Sequence, residues 1–341
     1  MTMKKLLMLG TNSGSVKLLQ YAKSQGIYTI VTDYLAPEDS LGKQIADESW
    51  MISTNDLDAL EAKCRAEGVT AVISGVSDFN VSMAVALNHR LGTPCYCDPE
   101  TWKYSRNKDL FKAQCRKYGV PTAQEFFVSQ EPTEEEIDQI RFPVIVKPTD
   151  RSANRGFGYC YAREDFLPAL RNARETSESG KVVIEKLLKG KEYTAFYVLA
   201  DGQASLLDFW SMHAQPGMPE NCYSISTTVT DRLRHYLRCN DPQIRALLQG
   251  LGYRDGIVWL ELMADEDGSL NALEIGHRLS GEMLWLPLSD LRKFNSVGWL
   301  VDYAATQREA CIPSIQFLAG QRPDGQEFRL PQLLNGLGVL I

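Results

Sequence analysis

Short apolar runs alternate with amphipathic stretches through the first hundred residues. Residues 4–9 (KKLLML) predict a buried strand, Gly10-Thr-Asn-Ser-Gly14 a turn, and residues 15–25 a helix by their apolar spacing. A second strand is expected at 27–33 (IYTIVTD) and a helix at 55–67, followed by a strand at 69–74 (VTAVIS) and a helix at 78–90. Strands that alternate with helices imply a parallel sheet covered on both faces. The expected fold class is therefore α/β and α+β: a Rossmann-like parallel domain over residues 1–100, then a segment of different character.

That second segment opens with a polar connection at 98–106. A helix follows at 107–118 (NKDLFKAQCRKY), closed by Gly119-Val-Pro121. Residues 131–139 read as an acidic helix start, which the helix dipole favours. A strand at 143–147, a loop, a strand at 157–161 and a helix at 163–174 complete a small α+β unit over 101–180. From Lys181 onward (KVVIEKLLKGKEYTAFYVLADG) strand-like runs succeed one another with short turns, so an antiparallel sheet is expected over 181–310. Residues 311–341 form a short tail, read either as a brief closing element or as a truncation.

Composition narrows the function classes. A chain of 341 residues fits about two to three domains. A net charge of −7 argues against a general nucleic-acid or membrane surface. No stretch approaches the roughly 18 apolar residues of a spanning helix, and only four apolar residues follow Lys4-Lys5, too few for a signal-peptide core. The 8 cysteines contain no C-x-x-C pair, which points to reduced thiols in a cytoplasm. Cys95 and Cys97 lack a second pair to complete a metal site.

The chemistry gathers in the later segments. In "FPVIVKPTDRSANRGFG" a buried strand delivers Lys147 to a loop rich in hydroxyls, guanidinium groups and glycine. These are phosphate-binding parts, although a surface lysine before a β-turn gives the same pattern. Lys108 opens helix 107–118 and by itself reads as a solvated helix lysine. In "VVIEKLLKGKEYT", Glu185 and Lys186 end a strand and Glu192 follows. A strand end can offer backbone groups to a purine and a carboxylate to a ribose, or the two acids simply cap a hairpin.

Glu261 and Glu274 each interrupt an apolar strand, on either side of the turn Asp265-Glu-Asp-Gly268. Carboxylates that close together need a cation between them. Oxygen ligands without Cys or His suit Mg²⁺. The alternative places both acids on a solvated sheet face. Arg278 lies four residues beyond Glu274, where a guanidinium can stabilise a transferring phosphoryl group. Gly10-x-x-x-Gly14 with Asp33 is a weak dinucleotide signal, because G-x-G-x-x-G is absent.

Taken in order, these segments resemble the ATP-grasp superfamily, nearest its carboxylate–amine ligases, a group that includes biotin carboxylase and the carbamoyl phosphate synthetase large subunit. The resemblance spans roughly residues 4–310. It rests on "NKDLFKAQCRKYGVPT", "FPVIVKP" with its loop, "VVIEKLLKGKEY" and "LEL…LEIGHR". It implies a pre-grasp domain followed by a two-part ATP-grasp fold, with ATP and Mg²⁺ (or Mn²⁺) as cofactors. Small-molecule carboxylate and amine substrates would be joined through an acyl phosphate, with release of ADP and phosphate.

By resemblance, Lys108 and Lys147 would contact phosphates, and Ser152 to Gly156, including Arg155, would form the triphosphate loop. Glu185, with the backbone of Lys186 and Leu188, would hold adenine, and Glu192 would hold ribose. Glu261 and Glu274 would bind metal, and Arg278, with Lys147, would act in catalysis. A homodimer is the family's habit. Lys147→Ala is expected to harm ATP binding far more than Lys112→Ala. One departure stands out: where the family pattern is close to E-I-N-P-R, this chain has Glu274-Ile-Gly276-His-Arg278. The glycine and the short tail motivate an alternative, a non-catalytic ATP-binding sensor or subunit. A dinucleotide oxidoreductase is a weaker third reading. Asp78, Asn80, His213 and Arg232 are substrate-pocket candidates without a spacing argument.

Overall fold

The computed structural model describes residues 3–151, 154–215, 218–228, 230–281, 283–306 and 327–329. The first unit runs β1 (Lys5–Leu9), α1 (Ser13–Ser24), β2 (Tyr28–Thr32), β3 (Glu48–Trp50), α2 (Leu57–Glu67), β4 (Ala71–Ile73) and α3 (Asp78–Leu91). Its four strands are all parallel, in the order β3-β2-β1-β4. Only apolar residues fill Leu6 to Leu9, and all four are buried, as a sheet covered on both faces requires. Asn12 caps α1 and Ser77 caps α3, each accepting a backbone N–H of the first turn. The short strand β3 was not anticipated from the sequence; its three residues offer no alternation to read.

Asp33, just after β2, is a structural anchor. Its carboxylate is 2.9 Å from the buried Lys43 ammonium and accepts from the Ser40 hydroxyl at 3.0 Å and the Leu35 N–H at 3.0 Å. A carboxylate so fully engaged is not available to a ribose, which removes the support for a dinucleotide site.

The next unit runs α4 (Pro99–Arg106), α5 (Lys108–Lys117), β5 (Glu125–Phe126), α6 (Glu134–Asp138), β6 (Val144–Pro148), β7 (Gly158–Cys160), α7 (Arg163–Thr176) and β8 (Val182–Lys186). Its antiparallel sheet has the order β5-β8-β6-β7. The sequence division at 180/181 therefore falls one strand too early: β8 pairs with β6 along its whole length, so the change of sheet comes between Lys186 and Glu192. In that link Gly190 passes so close to β12 (Gly256–Ala264) that a Cβ would lie 2.0 Å from the Ala264 carbonyl oxygen.

The large sheet is built from β9 (Glu192–Ala200), β10 (Gln203–Gln215), β11 (Met218–Thr227), β12, β13 (Leu270–Gly276) and β14 (Glu327–Arg329), in the order β13-β12-β9-β10-β11-β14. Helices α8 (Thr230–Cys239) and α9 (Asp241–Gly250) cover one face, where Tyr197, Tyr236 and Leu247 are buried. The other face packs Phe196, Trp210 and Trp259 into one core with α10 (Trp285–Arg292), α11 (Ser296–Thr306) and the first unit. The large sheet is thus held against the first domain through that shared core. Of residues 311–341, only 327–329 are among those described.

Candidate functional site

The register of the large sheet decides whether the two strand acids share a face. Glu261 of β12 stands directly opposite Glu274 of β13, and on its other side opposite Thr194 of β9. Directly opposed residues in antiparallel strands project to the same face, so the two carboxylates and the Thr194 hydroxyl form one row. Glu192 precedes Thr194 by two positions and so lies on that face too. Neither Glu261 nor Glu274 is fully exposed, and Thr194 is buried. Its hydroxyl has no hydrogen-bond partner among the described residues.

Helix α5 brings cations to this row. Asn107 caps it, accepting the Leu110 N–H at 3.0 Å, and the Lys108 N–H donates to the Thr149 carbonyl at 3.1 Å. That last bond joins the helix start to the segment after β6. The Lys108 ammonium lies 3.4 Å from Glu274 Oε2 and donates to the Arg151 carbonyl at 2.9 Å. Lys147, near the end of β6, places its ammonium 3.0 Å from Glu185 Oε2 and 5.5 Å from the centre of the Phe157 ring. Burial pushes the Lys147 ammonium down to about 7; Lys112 and Lys108 add to the shift, while Glu274 and Glu261 oppose it.

Lys112, expected to matter far less than Lys147, is 1% exposed and paired with Glu185, one turn along α5 from Lys108. Burial pushes its ammonium down to about 8. It is therefore no neutral control for Lys147. Glu185, expected to hold adenine, turns its own buried carboxylate toward Lys112 and Lys147. Lys186 beside it is half-buried and bound to Asp265, at 2.7 Å. Leu188 is buried. Arg155 is exposed and Gly156 has a positive φ of 77°. Ser152 lies outside the described residues.

Arg278 is buried against the first domain. Its Nε donates to Asp78 at the start of α3, Nη1 donates to the Leu279 carbonyl at 2.8 Å, and the guanidinium lies 5.0 Å over the Trp259 ring. The neighbouring His277 is fully buried and stacks on Tyr253 at 4.1 Å; its Nε2–H donates to the Asp255 carbonyl at 2.7 Å. Burial pushes its imidazole down to about 4, so it is neutral at neutral pH. Of the four residues without a spacing argument, only Asp78 is tied to this cluster by a described contact. Asn80 lies against Gly10, His213 bonds Ser226, and Arg232 lies over Tyr193. Sequence reasoning missed Lys112, Thr194 and Trp259; the i, i+4 spacing of Lys108 and Lys112 was the available signal for the first.

Lysines from α5 and from the small antiparallel sheet thus lie beside the paired carboxylates of the large one. Residues 140–284 match the ATP-grasp domain family, so the chain carries an ATP-grasp domain over that segment. Among proteins of known name it is similar to the formate-dependent phosphoribosylglycinamide formyltransferase of Methanocaldococcus jannaschii, with 24% identity over 68% of this chain and 64% of that one. It also resembles the N-terminal section of the carbamoyl phosphate synthase large chain of Aquifex aeolicus, with 22% identity over 88% of this chain and 58% of that one. The chain thus spans about three fifths of the length of these relatives. In fold it is similar to the biotin carboxylase domain of Hydrogenobacter thermophilus 2-oxoglutarate carboxylase, solved with MgADP and bicarbonate. That likeness has a TM-score of 0.75 at 20% identity and covers 90% of this chain and 70% of that one.

Proposed function

We propose that this chain is an ATP-dependent ligase that joins a small-molecule carboxylate to an amine or similar nucleophile, through an acyl phosphate. The observation that carries the reading is the convergence of Lys108 and Lys147 with the opposed pair Glu261 and Glu274, contributed by α5, the small sheet and the large sheet. ATP is the phosphoryl donor, and its polyphosphate fits the buried ammonium groups.

The donor set also fits a magnesium ion. Among the described residues no group of three or more His, Cys, Asp or Glu could hold a metal alone. Two carboxylates suffice for Mg²⁺, or Mn²⁺, when phosphate oxygens and waters complete the shell. The orphaned Thr194 hydroxyl beside Glu261 can take a hydrogen bond from such a water. Glu261 and Glu274 would hold the ion, which when bound neutralises charge on the transferring phosphoryl group.

Lys147 and Lys108 orient and neutralise phosphate oxygens, which is most of what phosphoryl transfer asks of a protein. The backbone at Lys186 and Leu188 meets the base, with Glu192 at the ribose. Arg278, fixed by Asp78 and Trp259, faces the carboxylate or its acyl phosphate.

Incubation with ATP, Mg²⁺ and carboxylate pools, trapped with hydroxylamine, tests this. ADP together with hydroxamate from at least one pool is expected. No ADP and no hydroxamate from folded protein would overturn catalysis. Non-catalytic ATP binding is the second reading, favoured by Trp259 filling the space over Gly276. It predicts thermal stabilisation by ATP without turnover.

A further inference from the structure

Three charged side chains lie buried together where α5 crosses the small sheet. Lys112 and Glu185 are each 1% exposed and Lys147 is 8% exposed. Glu185 receives Lys112 on Oε1 and Lys147 on Oε2. Two ammonium groups on one carboxylate leave an excess positive charge in a region poor in water, which is costly unless an anion completes it. Other charges that act on the group are Lys108, Glu274 and Glu261, which act on Lys147, and Glu125, which acts on Lys112. Lys108 on the same helix lies beside Glu274, and Glu125 on β5 is bound by Arg116 at 2.8 Å. Glu261 on β12 stands opposite Glu274.

Lys147 is the cation best placed to meet a polyphosphate, yet Glu185 competes for it. Were Glu185 paired with Lys147 alone, the pair would be neutral and its attraction for an anion weak. Lys112 changes that balance by occupying the other carboxylate oxygen. Its reach follows from helix geometry: residues four apart share a face, so Lys108 addresses the large sheet through Glu274 and Lys112 addresses the small sheet through Glu185.

We propose that Lys112 is a positioning residue of the nucleotide site, holding Glu185 so that Lys147 keeps its charge free for the polyphosphate of bound ATP. This rests on the ATP-binding reading above. It assigns Lys112 an electrostatic task that packing alone would not require.

The test is a double-mutant cycle. ATP with Mg²⁺ is titrated calorimetrically into wild type, Lys112→Met, Glu185→Gln and the double variant, with thermal melts confirming folding. Lys112→Met should weaken ATP binding about tenfold or more, because Glu185 then claims Lys147. The double variant removes both charges and restores the single excess cation, so its affinity should return to within about threefold of wild type. A packing role predicts instead that the two losses multiply.

Unchanged binding by folded Lys112→Met overturns the proposal, and so does a double variant at least as weak as Lys112→Met. If Lys112→Met does not fold, the double variant decides against wild type alone, and a loss beyond about tenfold is then the overturning result. Wild type that binds no ATP would sink the proposed function itself. Wild type that binds, with Lys112→Met unaffected, would sink only the role of Lys112.

Discussion

Trp259 lies directly over Gly276. The two are cross-strand partners in β12 and β13, and a Cβ at Gly276 would sit 2.1 Å from the indole ring. The departure from E-I-N-P-R is therefore enforced by packing: an asparagine has nowhere to go. Trp259 also carries Arg278 on its face, so the indole shapes both β13 and the arginine. Gly276→Asn should destabilise the fold by about 2 kcal/mol through overpacking. Trp259→Ala combined with Gly276→Asn should recover part of that loss. Thermal melts of the single and double variants check this; equal stability of Gly276→Asn and wild type would refute the contact.

Removing one carboxylate of the proposed metal row should be felt as lost metal affinity. Glu261→Gln and Glu274→Gln are each expected to weaken Mn²⁺ binding in the presence of ADP about tenfold or more, since hard cations prefer charged oxygen. Electron paramagnetic resonance of free Mn²⁺ measures it. Retained binding in both variants would place the metal elsewhere.

Lys147→Ala should cost at least about a hundredfold in ATP affinity, the effect of deleting a buried charge that meets a ligand charge. The surface residue Lys103, whose side chain is 43% exposed, is the proper control, and Lys103→Ala should leave the titration unchanged. Equal losses would refute the assignment.

The depressed Lys147 ammonium gives two signed outcomes. Its folded value of about 7 lies below the ordinary 10.5, so between these values the unfolded chain binds more protons. Stability of the nucleotide-free protein therefore gains from Lys147 as pH rises through that window and loses it as pH falls toward 7. The rise in melting temperature from pH 7 to pH 9 should be smaller in Lys147→Met than in wild type. A bound polyphosphate raises the ammonium again. Nucleotide binding at about pH 8 should then take up protons, read by calorimetry in buffers of different ionisation enthalpy. Proton release would contradict it.

The order of strands and helices was legible because apolar runs such as Leu6–Leu9 and Val144–Val146 are buried on both sides and bounded by turns. The strand acids were legible for the opposite reason: Glu261 and Glu274 interrupt aliphatic stretches that otherwise have only core partners. Whether they shared a face was not readable, since a one-residue slip inverts it and β13 carries an irregularity next to Glu274. The burial of Lys112 was hidden because the pattern of α5 alone cannot say which face meets a second sheet. The membership of β8 was hidden because its partner β6 lies across a loop and a helix. Asp78 is joined to Arg278 across 200 residues of chain, a separation no local pattern encodes.

The central claim is that carboxylates from the large sheet and ammonium groups from α5 and β6 surround one magnesium–nucleotide complex. A crystal structure with Mg²⁺ and a non-hydrolysable ATP analogue tests it most directly. The expected result is a metal about 2.1 Å from oxygens of Glu261 and Glu274, with the Lys108 and Lys147 ammonium groups on the phosphates. A nucleotide seated instead at the Gly10–Gly14 turn of the first domain, with the row of Glu261, Glu274 and Thr194 bare, would contradict it.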